Sequence, residues 1–155
     1  TLNGAPHTSS GAYTLPQSVN LDFQTGIAAD TLLMASVRWV EWTETTLVTP
    51  IGLIDYDTDS WTYSVGVGRR FSDALSGSVT LGYEEGTGAD ASNLAPTDGN
   101  ISLALGAAYN MGNGMELSGG VRYVWLGDAT TELPISATFE DNHAVAVGLK
   151  VAYNF

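Results

Sequence analysis

Four basic residues have the type and spacing needed to bind an anion. Arg38, Arg70, Arg122 and Lys150 all occupy even-numbered positions, and Arg69 is the one basic residue at an odd number. Successive side chains of a β-strand point to opposite faces, so even positions share a face wherever the chain is extended. Inside an apolar passage, such cations can receive a carboxylate through charge-assisted hydrogen bonds, which strengthen where water is scarce.

A simpler structural role for the same cations is the alternative. A cation buried without a partner is costly, so pairing with carboxylates on the same face is expected by default. Asp22, Glu84 and Glu116 also occupy even positions, and Asp22 would lie diagonal to Arg38 if the first two strands form a tight hairpin. The sequence leaves both roles open.

Chemistry of other kinds has little support. His7 and His143 are the only histidines, and neither has a nearby Ser/Asp arrangement or metal-ligand spacing. Stretch 55–59 (DYDTD) resembles the start of a calcium-binding loop, but Ser60 replaces the turn glycine and Gly66 stands where the bidentate glutamate would be. The sequence therefore predicts no catalytic residue, no metal site and no cofactor, and we expect that the protein is not an enzyme.

Composition narrows the class of protein. Lys+Arg 5 against Asp+Glu 17 gives a formal net charge of -12, which argues against a nucleic-acid partner. Charged residues make up 14%, whereas a typical soluble domain has about 25%. There is no cysteine, and no apolar run approaches the roughly 18 to 20 residues of a transmembrane helix. The 155 residues fit one domain, and a signal peptide is expected to be removed or to lie outside the sequence, because no leader follows Thr1.

The elements that must position the cations are β-strands. Alternation of bulky with small or polar side chains has the period of a strand, and it marks seven stretches. They are about 17–25, 31–43, 61–71, 75–85, 99–111, 115–126 and 142–155, after a leading loop at 1–16. Short turns at 26–30, 72–74 and 112–114 alternate with long links at 44–60, 86–98 and 127–141. Short turns on one side and long loops on the other are typical of an outer-membrane barrel wall.

One further segment has a weaker pattern. Residues 133–139 (LPISATF) keep a faint alternation and could extend the last hairpin, which would bring the strand count to eight. Pro134 argues against a central strand there, because proline cannot donate a hydrogen bond to a neighbouring strand.

The two faces of the predicted strands differ in side-chain size. Odd positions carry the bulk, for example Val65, Leu81 and Tyr123, whereas even positions carry mostly Gly, Ala and Ser. Of 15 aromatic residues only Trp42 and Tyr56 are even-numbered, and many lie near strand ends, where outer-membrane barrels have aromatic girdles. A soluble β-sandwich, the alternative, would need charged and polar residues on the even face. The sequence predicts an all-β fold, a transmembrane antiparallel β-barrel whose odd face meets lipid.

This arrangement fixes where the cations should lie. Arg38 and Arg122 are about seven residues from their predicted turns, and Lys150 is about five from the last residue. All three are therefore predicted at about mid-height in the membrane, and Arg70, beside a turn, is predicted as a rim charge. The even face is too low in volume to fill a small barrel, so a ligand, a plug or water should occupy the lumen.

Three stretches resemble a known family. They are LPQSVNLDFQTGIAADTLLMASVRWVEW (15–42), WTYSVGVGRRFSDALSGSVTLGYEEGTGADASNLAPTDG (61–99) and GGVRYVWLGDA (119–129), and the closing AYNF matches as well. They are similar to the C-terminal half of FadL-type outer-membrane transporters of long-chain fatty acids and other hydrophobic compounds. The resemblance implies a barrel of about fourteen strands with an N-terminal hatch inside it, of which seven to eight strands are present here. Neither the hatch nor the N-terminal strands of the family match this sequence, so no family site residue is transferred.

Together these observations predict a function. The chain should take up long-chain fatty acids or other hydrophobic small molecules by passive passage through the lumen, in the outer membrane of a Gram-negative bacterium. Arg38, Arg122, Lys150 and Arg70 are the lumen-facing candidates for ligand binding. The alternatives are a structural or adhesive barrel and an aqueous porin. Outer-membrane lipid and lipopolysaccharide are expected around the wall, and Phe155 resembles the terminal aromatic that such barrels present to their insertion machinery.

Overall fold

Eleven strands make up the part of the fold that the structure describes. The computed structural model describes residues 13–49, 52–54, 56–88, 91, 97–131 and 136–153. The strands are β1 (Ser18–Ala28), β2 (Thr31–Val40), β3 (Leu47–Thr49), β4 (Gly52–Ile54), β5 (Ser60–Arg70), β6 (Leu75–Glu84), β7 (Asn100–Asn110), β8 (Met115–Leu126), β9 (Ala129–Thr131), β10 (Ala137–Phe139) and β11 (His143–Tyr153). The seven long strands form one antiparallel sheet in the order β1-β2-β5-β6-β7-β8-β11, and β3–β4 and β9–β10 form two small hairpins. Among the described residues, no helix has the length and hydropathy needed to cross a bilayer.

The long strands overlap the seven predicted stretches, and two boundaries differ from the prediction by three residues. The predicted turn at 26–30 is shorter in the structure, because β1 continues to Ala28 and the turn ends at Asp30, whose φ is 56°. β2 ends at Val40 and not at residue 43, because the chain enters a 3-10 helix at Trp42–Glu44.

The prediction that 133–139 could extend the last hairpin is confirmed for residues 137–139. Ala137–Phe139 pairs with Ala129–Thr131 in the same register as β11 pairs with β8, so β9 and β10 continue the β8–β11 hairpin beyond His143 and Trp125. The two short strands form a sheet of their own and do not add an eighth strand to the wall. Residues 1–12, with His7, and residues 154–155, with the predicted terminal signature at Phe155, lie outside the described residues.

The register of the sheet has the stagger of a barrel wall. One row of paired residues passes through Thr31, Arg69, Gly77, Ala107 and Gly119. In β2 the row lies one residue above Asp30, where the first turn ends, and in β8 it lies five residues above Gly114, where the third turn ends. Over the four steps from β2 to β8, the row therefore rises by one residue per strand relative to the turns. A rise of about 3.4 Å per residue against a strand spacing of about 4.8 Å gives a tilt of about 35°. Strands of closed membrane barrels tilt by about 35–45°.

Solvent exposure separates the two faces as the alternation predicts. Along β5, β6 and β7 most odd residues are exposed and most even residues are partly covered. Val65 is 47% exposed and Leu81 is 53% exposed, whereas Gly66 of β5 is buried. Large apolar side chains therefore form the outer surface, and no dry centre of packed tryptophans is present among the described residues. The even face is the inner, more shielded surface of a curved sheet.

Aromatic side chains form a belt on the outer face near the long loops. The rings of Trp39 and Trp61 are 6.4 Å apart, Trp61 stacks on Tyr63 at 6.2 Å, and Tyr63 stacks on Tyr83 at 6.2 Å. This contact chain crosses β2, β5 and β6, and a second group on β8 and β11 continues at the same end of the sheet. We call these residues the loop-side girdle. Such belts lie at the membrane–water boundary, where amphipathic rings are stable.

An aspartate fastens the link between β2 and β5. Asp59 Oδ1 accepts hydrogen bonds from the Thr43 hydroxyl at 2.8 Å and from the Thr43 backbone N–H at 3.2 Å. These bonds, the hydroxyl bond first, hold the pKa of Asp59 below its ordinary value of 3.8. Next to it, Trp42 donates to Ser60 Oγ at 3.0 Å and packs on Tyr56 with ring centroids 5.2 Å apart.

The other two long links are fastened in the same way. Asp98 accepts backbone hydrogen bonds from Thr87 at 2.6 Å and from Gly88 at 2.7 Å. Asp128 accepts one from Asp141 at 3.1 Å. Three acidic residues on the loop side, Asp59, Asp98 and Asp128, therefore hold the long links in place.

Candidate ligand passage on the concave face

The inner face encloses a concavity of about 1000 Å³. All seven long strands contribute to its lining, from Gly26 in β1 to Lys150 in β11, and most of the lining residues are even-numbered. Gly68, Gly106 and Gly120 form part of its floor. A sheet that wraps the same space from its first to its last strand is curved like a barrel wall, and its concave side is the small-residue face.

The inner face carries hydroxyl groups as well as glycines. Three cross-strand pairs each place a glycine opposite a serine or threonine, and the hydroxyl of one partner lies over the other partner's Cα. The pairs are Gly66 with Thr80, Gly82 with Ser102, and Gly106 with Ser78. A Cβ at these glycines would lie 2.6, 2.5 and 2.8 Å from the hydroxyl oxygens, respectively. The inner face is therefore smooth but more polar than a Gly/Ala surface.

Arg38 lies on the inner face near the loop side. It pairs in register with Asn20, and its Nη1 donates to Asn20 Oδ1 at 3.5 Å. Asp22 pairs with Ser36, so it is diagonal to Arg38 as predicted, yet no ion pair joins them. Arg38 is exposed on the inner face, and the bond to Asn20 is its one hydrogen bond to a described side chain.

Arg122 lies at the same level on the opposite part of the wall. Arg38 and Arg122 are each eight residues above the turns that end at Asp30 and Gly114. Their sequence neighbours Trp39 and Tyr123 belong to the loop-side girdle. The two arginines were predicted at mid-height, and the structure places them level with this girdle, because the tilted strands continue well beyond the midplane.

Lys150 lies deeper in the membrane. It pairs with Ser118, which is four residues above Gly114, and the stagger of one residue per strand raises Lys150 to the equivalent of five residues. Lys150 therefore lies about 8 Å closer to the turns than Arg122 does along a wall tilted by about 35°. Lys150 lines the concavity, and it has no hydrogen bond or ion pair to another described residue. Lys150 is therefore the cation nearest the predicted mid-height.

Arg70 is a rim charge, where it was predicted. Its Nε and Nη2 donate to Asp30 Oδ1 at 2.9 and 2.5 Å, and the two side chains are 61% and 46% exposed. Among the described residues this is the one ion pair, so the alternative of paired cations holds for Arg70 alone. Glu84, expected as a possible partner, instead accepts a hydrogen bond from Asn100 Nδ2 at 2.7 Å.

Sequence reasoning missed the residue that holds Arg122. Arg122 Nη2 donates to Ser102 Oγ at 2.9 Å, and Ser102 is only 2% exposed. Ser102 pairs with Gly82 on one side and lies diagonal to Arg122 on the other. The spacing of these residues along the chain gives no sign of the contact, because it depends on the register of three strands.

The comparisons with known proteins decide the family. The family model of the outer membrane protein beta-barrel domain matches residues 11–155. The chain belongs to the outer membrane beta-barrel domain family. This places it in the bacterial outer membrane and confirms the predicted fold class.

A solved structure has the same fold. The chain is similar to a structure described as the crystal structure of a Pseudomonas aeruginosa FadL homologue, with a TM-score of 0.64 and 17% identity over 88% of this chain. The match covers 33% of that longer chain, so the present chain spans about a third of its length. The comparison with curated proteins found no match. At this identity the likeness concerns the fold alone.

Proposed function

We propose that the chain forms part of a FadL-type outer-membrane transporter that takes up long-chain fatty acids or similar hydrophobic molecules by passive passage. The single observation that carries the proposal is the concavity of about 1000 Å³, which all seven long strands line and which holds Lys150, a cation without an ion pair to any described residue. A cavity of this size is within the range of small-molecule sites, roughly 300–1,000 Å³. An apolar chain with one carboxylate suits a smooth floor with isolated positive charges.

The direction of the edge strands supports a larger closed barrel. β1 and β11 are the edges of the sheet, and both run from the loop side to the turn side. Their unpaired backbone groups cannot remain bare in hydrocarbon, where each costs several kcal/mol. Closure by antiparallel pairs alone needs an odd number of further strands between two edges of the same direction. Seven further strands, giving the fourteen or so of the FadL type, satisfy this requirement.

The lumen cations would receive the carboxylate of the substrate. Arg38, Arg122 and Lys150 have no carboxylate partner among the described residues, so each retains its full charge for an anion. The substrate's own concentration gradient would drive the passage. Outer-membrane lipid and lipopolysaccharide would surround the odd face.

An aqueous porin is the second candidate, and the hydroxyl-lined floor favours it. Water can hydrogen-bond to Ser76, Ser78 and Ser118, which line the concavity, and cations level with the girdle would select anions. A structural or adhesive barrel is not favoured by any particular contact.

Two measurements separate these functions. We expect the triple variant Arg38→Gln, Arg122→Gln, Lys150→Gln to weaken palmitate binding to the detergent-purified protein, measured by calorimetry. Unchanged palmitate affinity would show that these three cations do not bind the carboxylate. In planar bilayers, steady ion current without palmitate binding would support the porin, whereas silence together with binding would support the transporter.

A further inference from the structure

Arg122 is the best-positioned cation on the inner face. Its 2.9 Å bond to Ser102 Oγ is shorter than the 3.5 Å contact of Arg38 with Asn20, and Lys150 has no such bond to a described residue. Ser102 is 2% exposed, so the acceptor itself is held within the wall. The bond is to a neutral hydroxyl, so it orients the guanidinium without neutralising it.

Gly82 makes this arrangement possible. A Cβ at Gly82 would lie 2.5 Å from Ser102 Oγ and 3.6 Å from Arg122 Nη2. Because residue 82 has no side chain, the hydroxyl can lie across the strand and reach the guanidinium. Any larger residue at this position would displace Ser102, since an atom 2.5 Å away cannot remain there.

The guanidinium keeps enough donors for a ligand. Arg carries five N–H groups in a planar fork, and one of its nitrogens bonds to Ser102. Arg122 is an exposed residue of β8, so its remaining donors face the lumen. A planar fork that is already oriented binds the two oxygens of a carboxylate side by side, which a lysine ammonium cannot do.

The position of Arg122 sets the orientation of the ligand. The concavity begins at Gly120, two residues closer to the turns on the same strand, and extends past Lys150 to Asp30 and Arg70 at the turn side. A ligand held at Arg122 therefore has its head group level with the loop-side girdle and its apolar chain in the concavity.

We propose that Ser102 and Gly82 hold Arg122 as a carboxylate receptor on the loop side of the lumen, so that the passage accepts acidic amphiphiles in preference to neutral ones of equal length. This inference rests on the proposed function, because it assumes that an amphiphile enters the lumen. Ser102 and Gly82 are positioning residues, and Arg122 is the group that contacts the ligand.

The test compares two ligands that differ only in the head group, palmitate and 1-hexadecanol, on the full protein in detergent. We expect Arg122→Lys to weaken palmitate binding on the order of tenfold, because the charge remains but the fork is lost. Ser102→Ala and Gly82→Ala should weaken it by roughly threefold to tenfold. Binding of 1-hexadecanol should stay unchanged in all three variants, which also shows that their lumens are folded.

Ser64→Ala is the matched control. Ser64 pairs with the same Gly82 from the other side, and it makes no contact with Arg122. This variant should bind both ligands as the wild type does. Lys150→Gln tests the competing assignment, in which Lys150 binds the carboxylate, because this variant removes a charge that lines the concavity.

Each outcome decides something. Palmitate affinity that is equal in the wild type and in Arg122→Lys, Ser102→Ala and Gly82→Ala would overturn the inference while the transporter survives. Loss of palmitate binding in Lys150→Gln alone would place the head group at Lys150 and overturn it too. If the wild type binds neither ligand, the proposed function itself fails.

Discussion

The indole nitrogen of Trp39, near the end of β2, donates a hydrogen bond of 3.0 Å to Asp59 Oδ2, just before β5 begins. The same carboxylate accepts both bonds from Thr43, so one side chain joins the girdle, the 3-10 helix and the next strand. The loop side of the wall is therefore fastened by a group that titrates.

The Asp59 contacts should weaken in acid. Its pKa is lowered in the folded protein, chiefly by the Thr43 hydroxyl, so its contribution is complete above the ordinary value of 3.8 and is lost as pH falls through the lower folded value. We expect the near-ultraviolet circular dichroism of the loop-side tryptophans to change in this window, and Asp59→Asn to show the acid spectrum at neutral pH. Asp57→Asn, at an exposed position of the same link, is the control and should follow the wild type.

The assignment of the two faces can be tested with adjacent residues. Val65 is odd-numbered, 47% exposed and near the middle of β5, whereas Ser64 faces the lumen. Val65→Arg should lower the free energy of unfolding in lipid bilayers by about 2–4 kcal/mol, because it puts a charge into hydrocarbon. Ser64→Arg should change it much less. Equal effects in urea titrations would contradict the assignment of the odd face to lipid.

Two inner-face glycines should respond differently to an added methyl group. A Cβ at Gly66 would lie 2.6 Å from Thr80 Oγ1 and 3.0 Å from the Val79 carbonyl oxygen, whereas a Cβ at Gly148 would meet no atom within 4 Å. Gly66→Ala should destabilise the protein by roughly 1–3 kcal/mol, the usual range for overpacking. Gly148→Ala should stay within about 0.5 kcal/mol of the wild type. Urea titration of both variants, followed by tryptophan fluorescence, would check this difference.

The tryptophans should differ in their contact with lipid. Trp61 is 41% exposed and Trp125 is 48% exposed on the outer face, and Trp39 lies in the same belt. Trp42 instead bonds to Ser60 and packs on Tyr56 beyond the end of β2. In variants that keep a single tryptophan, brominated lipids should quench the three outer residues more strongly than Trp42. Stronger quenching of Trp42 would contradict the assignment of the girdle residues to the lipid-facing side of the sheet.

Much of the wall could be predicted because its pattern is local. Neighbours such as Val79 and Thr80 must face opposite sides wherever the backbone is extended, so alternation alone assigned the bulky side and the small side. Turn residues such as Asn113 and Gly114 then set which strands pair, since a short connection leaves only antiparallel neighbours.

The hairpin of β9 and β10 is indicated only by the faint alternation at 133–139. Its strands have three residues each, too few to give a clear period. Ala129 and Thr131 are nevertheless among the most buried residues described, at 5% and 0% exposure. Their burial comes from contacts between links, for example the bond from the Ala91 N–H to the Thr130 carbonyl oxygen at 2.8 Å.

The sequence by itself determined that Arg38, Arg122 and Lys150 share the inner face, because a period of two along an extended chain admits no other arrangement. Only the tertiary structure decided their levels and their partners. A stagger of one residue per strand makes Arg38 and Arg122 level across four strand positions, and it brings Ser102 of β7 to the guanidinium of Arg122 on β8. Side-chain direction is a property of each residue and its neighbours, whereas register is settled by how whole strands slide against one another.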